Sequence, residues 1–230
     1  MIKVENVEVF GWEAAIRGMR NPMNSWAKSD SHIHKEDCED CPHKDEYHKH
    51  VLSGNACFHL GQSDFDLAQR LYKGGTEHRK YLRMIHVQMD ITAPLYWWKE
   101  FDTYKVGTTA NSCSTMHKMH AKEFELDDFS YEHLNKEGRK TLRQTISYLN
   151  QNRKRFTETN NKQYWWYMMQ LLPSSYNQRR TVDFSYETAV NIIRQRSGHK
   201  LDEWREFVKI LLELPYMKEI MEVRYETDRC

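Results

Sequence analysis

The sequence lacks long hydrophobic runs and an excess of charge of either sign. No apolar run approaches the roughly 18 residues of a membrane-spanning helix, so no membrane span is expected. Its 34 lysine and arginine residues face 33 aspartates and glutamates, a net charge of +1. That balance argues against general binding to nucleic acids or anionic membranes and leaves room only for a local basic patch.

Cysteine is also scarce, and internal repeats and low-complexity tracts are absent. The five cysteines are an odd number with no obvious pairing, which favours a reducing compartment. The first ten residues, MIKVENVEVF, alternate like a strand and do not form a basic-then-apolar secretory leader. We therefore expect a cytoplasmic protein.

Aromatic residues are abundant, at 13% of the chain, with seven Trp and thirteen Tyr. They favour a large aromatic core or a pocket for a planar ligand. Helical spacing dominates the chain, and alternation predicts strands near 3–10 and 85–91 and a strand or extended link at 180–184. The sequence predicts an α+β, helix-rich single domain (1–230) around a small antiparallel sheet, with a His/Cys-rich insertion at about 27–62.

The stretch from 83 to 120 organises the rest of the chain. A strand leads into a helix that begins at Ala93-Pro94 and carries Trp97 and Trp98, which we expect in the core. Nine small or polar residues follow at 107–115. Their backbone N–H groups and hydroxyls suit the cradling of a phosphate or polar heterocycle, although an ordinary polar loop is the equal alternative. Cys113 is expected to be a buried, inert thiol.

In this layout the chain resembles the flavin-dependent thymidylate synthases. That family has a Gly-containing turn, a strand, an Ala-Pro helix start and the signature R-H-R-x-x-S-x-N-x-x-S-x-R-Y. Placing Asn111 on the signature Asn puts Thr109 and Ser114 on its two serines. The family's later Leu-Pro, Asn and Arg recur in order at Leu172-Pro173, Asn191 and Arg196.

The departures from the family pattern concern its phosphate-binding arginines. The R-H-R falls on Tyr104, Lys105 and Val106, the final Arg-Tyr on 116–117, and another family arginine on Met169. Each lost charge-assisted bond costs about 1.5–3 kcal/mol, so nucleotide affinity depends on other cations taking over. The candidates are Lys105, Lys118, Arg83 and Arg196.

The resemblance implies reductive methylation of dUMP or a related pyrimidine nucleotide. Methylene-tetrahydrofolate supplies the carbon, NADPH supplies reducing equivalents through bound FAD, and the family works as a tetramer. It places Ser114 at the nucleotide as the catalytic candidate, with the predicted substrate-binding residues Glu100, Ser114 and Arg196. The predicted cofactor-binding residues are Arg83, Lys105, Thr109, Asn111 and Asn191.

Each of these residues also has a structural interpretation. Ser114 and Asn111 suit loop capping, and Arg196 near a helix C-terminus gains about 0.3–1 kcal/mol from the helix dipole. The alternative function is a non-catalytic or altered-substrate nucleotide- or metal-binding protein that retains the fold. Nucleic-acid binding through the basic pieces at 153–155 and 179–180 is less well supported, because both are short and the net charge is close to neutral.

The second group of candidate residues lies between 32 and 59, which contains three Cys and six His. Cys38-x-x-Cys41 with His34 and His43 has the spacing of a structural zinc site. The alternative is a solvated loop with incidental histidines, since no second C-x-x-C completes the pattern. The absence of an H-E-x-x-H helix makes a structural metal more plausible than a catalytic one.

Overall fold

Among the residues that the structure describes, the β-structure consists of a four-stranded antiparallel sheet and a separate two-stranded hairpin. The computed structural model describes residues 2–35, 56–114 and 118–222. In the larger sheet the strands follow the order β1-β4-β6-β5, and β2 pairs with β3 in the hairpin. The strands are β1 (Lys3–Phe10), β2 (His32–Lys35), β3 (Ala56–His59), β4 (His86–Pro94), β5 (Thr108–Ser112) and β6 (Asn177–Ser185).

Helices make up most of the described chain, which confirms the predicted α+β, helix-rich class. Within the described ranges, none of them combines the length and apolar character needed to cross a bilayer. The helices are α1 (Trp12–Arg20), α2 (Gln62–Lys73), α3 (Leu95–Phe101), α4 (Lys136–Thr159), α5 (Lys162–Leu171), α6 (Tyr186–Arg196), α7 (Asp202–Leu212) and α8 (Met217–Met221).

The chain folds into two compact units, each built from several segments. The first unit comprises residues 1–4, 90–103 and 110–181, and the second comprises 5–89, 104–109 and 182–230. Because the segments alternate along the sequence, neither unit is a continuous piece of chain.

The first unit contains a helical hairpin, α4 and α5, over a hydrophobic cluster. On α4 the cluster uses residues at helical spacing, and the buried members are Met119, Phe124, Phe129, Leu142, Ile146, Leu149 and Met168. The helix α4 begins at Lys136, because the Asn135 side chain caps it by accepting from the Gly138 N–H at 2.9 Å.

The two tryptophans of α3 lie in the interior of the first unit, as predicted. Trp97 and Trp98 are 0% and 1% exposed. The indole N–H of Trp98 donates to the carbonyl of Gln178 at 2.9 Å, and the Arg180 guanidinium lies 4.2 Å from the centre of the Trp98 ring. Arg180 also pairs with Asp102 at 2.7 Å, so α3 is fixed at its C-terminal end.

The polar run at 107–115 differs from the predicted loop, because residues 108–112 form the edge strand β5. The β-branched Thr108 and Thr109 favour extended backbone, and the Cys113 N–H donates to the carbonyl of Arg179 at 3.0 Å, which continues the pairing. The Cys113 thiol is exposed, so the expectation of a buried thiol is wrong. An edge strand has an outer side that no neighbour covers, which the local sequence does not reveal.

The core of the second unit is aromatic. The Trp12 ring stacks on Phe58 at 5.6 Å and meets Tyr186 and Tyr216 edge-on at 5.4 and 5.3 Å. Tyr186 is fully buried, and its hydroxyl donates to the carbonyl of Pro215 at 3.0 Å. The high aromatic content of the sequence is therefore used largely in packing.

A buried ion pair anchors the start of the His/Cys-rich segment to α2. Arg20 and Asp64 are 3% and 0% exposed, and the Arg20 Nε lies 2.5 Å from Asp64 Oδ1. The other carboxylate oxygen accepts from the hydroxyls of Ser29 and Ser31 and the N–H groups of Asp30 and Ser31 at 2.6–3.1 Å. Burial alone would raise the pKa of Asp64, but these hydrogen bonds outweigh it and lower that pKa below its usual value.

Candidate functional site

The segment 104–109 meets the C-terminal end of α6 through Tyr104. The Tyr104 hydroxyl donates to Oε1 of Gln195 at 3.0 Å and accepts from Nε of Arg196 at 2.9 Å. These two bonds fix the phenol beside the last turn of the helix. The family pattern has an arginine at the position that Tyr104 occupies. The sequence therefore showed the loss of that arginine and gave no sign of the role of the Tyr104 hydroxyl.

The same segment meets the N-terminal end of α6 three residues later. The carbonyl of Val106 accepts from the Thr188 hydroxyl at 3.3 Å, and the carbonyl of Gly107 accepts from the Ser185 N–H at 3.3 Å. Gly107 has φ of 70°, a conformation that favours glycine. The segment therefore runs antiparallel along the helix.

Asn191 lies on the helix face that this segment covers. It is three residues after Thr188 and four before Gln195, and residues at these spacings share one face of a helix. Both neighbours bond to the segment 104–107, and Asn191 is half-buried. Lys105, between the bonded positions, is exposed. Three predicted site residues, Lys105, Asn191 and Arg196, thus belong to one region of the second unit.

Arg196 provides a fixed cation in this region. Its guanidinium carbon lies 4.7 Å from the centre of the Trp204 ring and 5.6 Å from that of the Tyr104 ring. Trp204 is fully buried in α7, whereas Arg196 is half-buried. Stacking uses the face of a guanidinium, while anions are recognised by the N–H groups in its plane. The arrangement therefore suits a partly exposed phosphate.

His199 supports the same corner. Its Nδ1 accepts from the Leu201 N–H at 3.2 Å, so Nδ1 carries no proton while this bond is present. Its ring meets the edge of Trp204 at 6.1 Å. His199 and Trp204 were not predicted as site residues, and the signal that could have found them is the pair of aromatic rings shortly after Arg196.

An unsatisfied hydroxyl lies at the end of the segment. Thr108 Oγ1 is buried and has no hydrogen-bond partner among the residues that the structure describes. Such a group costs free energy unless a ligand or water satisfies it. Together with Arg196 and the exposed Lys105, this hydroxyl fits a ligand that carries phosphate and hydrogen-bonding groups, as a nucleotide or a dinucleotide such as FAD does.

The other predicted residues have separate positions. In the second unit, Arg83 is exposed and its Nη2 donates to the carbonyl of Thr76 at 3.3 Å, and Thr109 is exposed on β5. Asn111 on β5, Ser114 after it and Glu100 on α3 belong to the first unit; Asn111 is exposed and the other two are half-buried. The Ser114 carbonyl accepts from the Lys118 N–H at 3.3 Å.

The predicted metal ligands fall mainly outside the described ranges. Cys38, Cys41 and His43 lie between residues 35 and 56, so the structure does not test them. His34 lies within β2, at the position paired with Cys57 of β3.

No family model and no curated protein matches the sequence. Solved structures do match over nearly the whole chain. One is a flavin-dependent thymidylate synthase, ThyX, from Helicobacter pylori complexed with FAD and dUMP, with 17% identity, a TM-score of 0.61 and coverage of 95% of both chains. A second structure of ThyX from the same organism, also with FAD and dUMP, has 18% identity, a TM-score of 0.61 and coverage of 95% and 94%.

The chain has the fold of the flavin-dependent thymidylate synthases.

The resemblance predicted from the sequence is therefore confirmed at the level of fold. On the thymidylate synthase pattern, two of the signature arginines are replaced by Tyr104 and Val106, and Val106 is 90% exposed. Tyr104 supplies a ring and a hydroxyl to Arg196 instead of a second charge. The fold is thus retained although these two arginines are absent.

Proposed function

We propose that the protein binds a pyrimidine nucleotide and FAD and catalyses a thymidylate synthase-like reductive methylation of dUMP or a related nucleotide. The observation that carries this proposal is Arg196, held between the Tyr104 hydroxyl and the Trp204 ring at the end of α6. The related fold of proteins solved with FAD and dUMP supports the choice of ligands.

In this proposal the residues along α6 bind and orient the ligands. Arg196 holds the nucleotide phosphate, because its plane is fixed by stacking and less side-chain entropy is lost on binding. Asn191 and Lys105 contribute amide and ammonium donors to the cofactor, together with Arg83, Thr109 and Asn111. Ser114 and Glu100 are the proposed hydrogen-bond partners of the substrate. Ser114 positions the substrate and does not act as a nucleophile.

When bound, FAD supplies the redox chemistry, passing reducing equivalents from NADPH to the one-carbon unit delivered by methylene-tetrahydrofolate. The protein's contribution is then to hold the reactants in register and exclude water. The proposal includes a cytoplasmic homotetramer, as the resemblance implies.

A dUMP titration by calorimetry tests the role of Arg196. The loss of one charge-assisted hydrogen bond costs about 1.5–3 kcal/mol of binding free energy, so Arg196→Met should weaken dUMP binding roughly 10- to 150-fold. Arg194→Met is the matched control, because Arg194 lies two residues away on α6 and stacks on Tyr72 at 5.2 Å instead. Equal affinities in the two variants would remove Arg196 from the site.

An altered substrate is the second candidate, and the exposed Val106 at a position where the family carries an arginine favours it. With fewer phosphate contacts, discrimination between dUMP and deoxyuridine depends mainly on Arg196. Titration with both ligands separates the candidates: tight binding of dUMP alone supports the thymidylate synthase-like function, whereas equal binding supports an altered substrate.

A further inference from the structure

The helical hairpin of α4 and α5 concentrates positive charge in the first unit. Residues 136–170 contain eight lysines and arginines and two acidic residues, Glu137 and Glu158, which gives this segment a net charge of +6. Because the whole chain carries +1, the remaining residues carry −5. The near-neutral total is therefore the sum of a strongly basic hairpin and an acidic remainder, and it does not describe the local charge that a ligand meets.

The helical period places four of these cations on one face of α4. Lys136, Lys140 and Arg143 are separated by four and three residues, and Lys154 follows eleven residues, or about three turns, later. All four side chains are exposed, and so are the uncharged polar side chains at 147 and 151 that lie between them on the same face. This surface, called the basic face below, extends for about 27 Å along the helix.

The cations of the basic face are not used to stabilise the fold. The apolar residues of α4 point the other way, into the hydrophobic cluster of the first unit. Lys154 lies 3.9 Å from Glu158, and both side chains are exposed, so this ion pair is worth little. The other three cations form no ion pair with any residue that the structure describes. A row of exposed charges that the fold does not neutralise can bind an extended anion.

Aromatic rings accompany the cations where α4 turns into α5. The Arg155 guanidinium carbon lies 5.7 Å from the centre of the Tyr164 ring, and Nζ of Lys162 lies 5.9 Å from the centre of the Trp166 ring. Trp166 is 44% exposed, which is unusual for so large an apolar side chain. An exposed ring beside cations offers a surface on which a base can stack while a phosphate is bound next to it.

We propose that the basic face and Trp166 bind single-stranded nucleic acid. A chain of phosphates is complementary in charge to a row of cations, and an unpaired strand presents its bases to an aromatic ring. The side chains between the cations are polar, so the basic face has no apolar area to insert into a membrane. Two copies of the face would bring like charges together, so it is not suited to a symmetric contact between copies of the chain.

Fluorescence anisotropy of the full chain with labelled oligothymidylate and oligouridylate of about 20 nucleotides tests the electrostatic part of the proposal. Each phosphate neutralised on a single strand contributes about 0.7 to the slope of log K against log salt, so the four cations predict a slope of about −3. Lys140→Gln/Arg143→Gln should reduce the slope by about 1.4 and weaken binding about 25-fold at 0.1 M salt, because the gain from counterion release is lost.

Lys80→Gln/Lys99→Gln is the matched control, because it removes the same charge from two exposed positions outside the hairpin. Its affinity and salt slope should equal those of the wild type, and circular dichroism confirms that each variant is folded. Binding of either probe supports the proposal, and the tighter of the two shows whether DNA or RNA is the preferred strand.

Trp166→Ala tests the stacking part of the proposal. It should weaken binding of the single strand roughly 5- to 150-fold without changing the salt slope, and Trp166→Phe should restore most of the affinity. The proposal would be overturned by a wild type that binds neither probe, by equal losses in the two double variants, or by tighter binding to phosphatidylserine vesicles. Unchanged affinity of Trp166→Ala together with tighter binding of a duplex would also overturn it. These measurements do not depend on flavin or dUMP binding.

Discussion

Two charged groups in the second unit, Asp64 and Arg196, are fixed in different ways. Asp64 is fully buried, and its carboxylate accepts from a buried arginine, two hydroxyls and two backbone N–H groups. Arg196 is half-buried, and its fixed contacts include a phenol hydroxyl and the faces of two rings. A buried charge surrounded by donors holds the fold together, whereas a positioned and partly exposed charge can bind a ligand.

Removing the Asp64 carboxylate gives the largest expected effect. Asp64→Ala leaves the guanidinium of Arg20 buried without its charged partner, which should lower the free energy of unfolding by about 3–5 kcal/mol. Urea unfolding measures this, and Asp66→Ala is the control, because Asp66 is exposed on the same helix and its carboxylate accepts from the exposed Gln62. A loss for Asp64→Ala no larger than for Asp66→Ala would contradict a structural role.

The pH dependence of the free energy of unfolding is a second test of the structural role of Asp64. Because the pKa of Asp64 is lower in the folded than in the unfolded protein, its contribution is present above the unfolded pKa of about 3.9. That contribution is lost as the pH falls through the folded pKa. Unfolding of Asp64→Asn, measured from pH 6 to pH 2, should therefore depend less on pH than that of the wild type, with the difference confined to the acidic end. Parallel curves would contradict the assignment.

Tyr104→Phe should have the smallest effect, because it leaves the ring and removes only the hydroxyl. The lost bond to Arg196 is worth about 1 kcal/mol, so dUMP affinity should fall roughly 5-fold with little change in thermal stability. A larger loss of stability than of affinity would mean that the hydroxyl holds the fold and does not orient Arg196.

The sequence predicted those features of the fold that depend on the periodicity of apolar side chains or on the order of motifs along the chain. The strands at Lys3–Phe10 and His86–Pro94 followed from the alternation of apolar residues. The burial of Trp97 and Trp98 was also expected. The overall fold followed from the order of short motifs, even though no motif is intact.

Features that depend on distant partners could not be predicted. The edge strand at 108–112 needs β6 beside it, and the role of Asp64 needs Arg20, 44 residues away. Local polarity in both cases looks the same as that of a loop or a solvated helix. Likewise, the sequence showed only that Tyr104 stands where the family has an arginine. Its hydrogen bond to Arg196 could not be predicted, because the two residues are 92 positions apart.

The most direct test of the central claim is flavin binding by the purified full chain. The protein is incubated with FAD, freed of unbound FAD by gel filtration, and its visible spectrum is recorded with and without dUMP. We expect close to one FAD per chain and a spectral change on addition of dUMP that is weaker in Arg196→Met than in Arg194→Met. A colourless, folded protein after this treatment would contradict the proposed flavoenzyme function while leaving the fold unaffected.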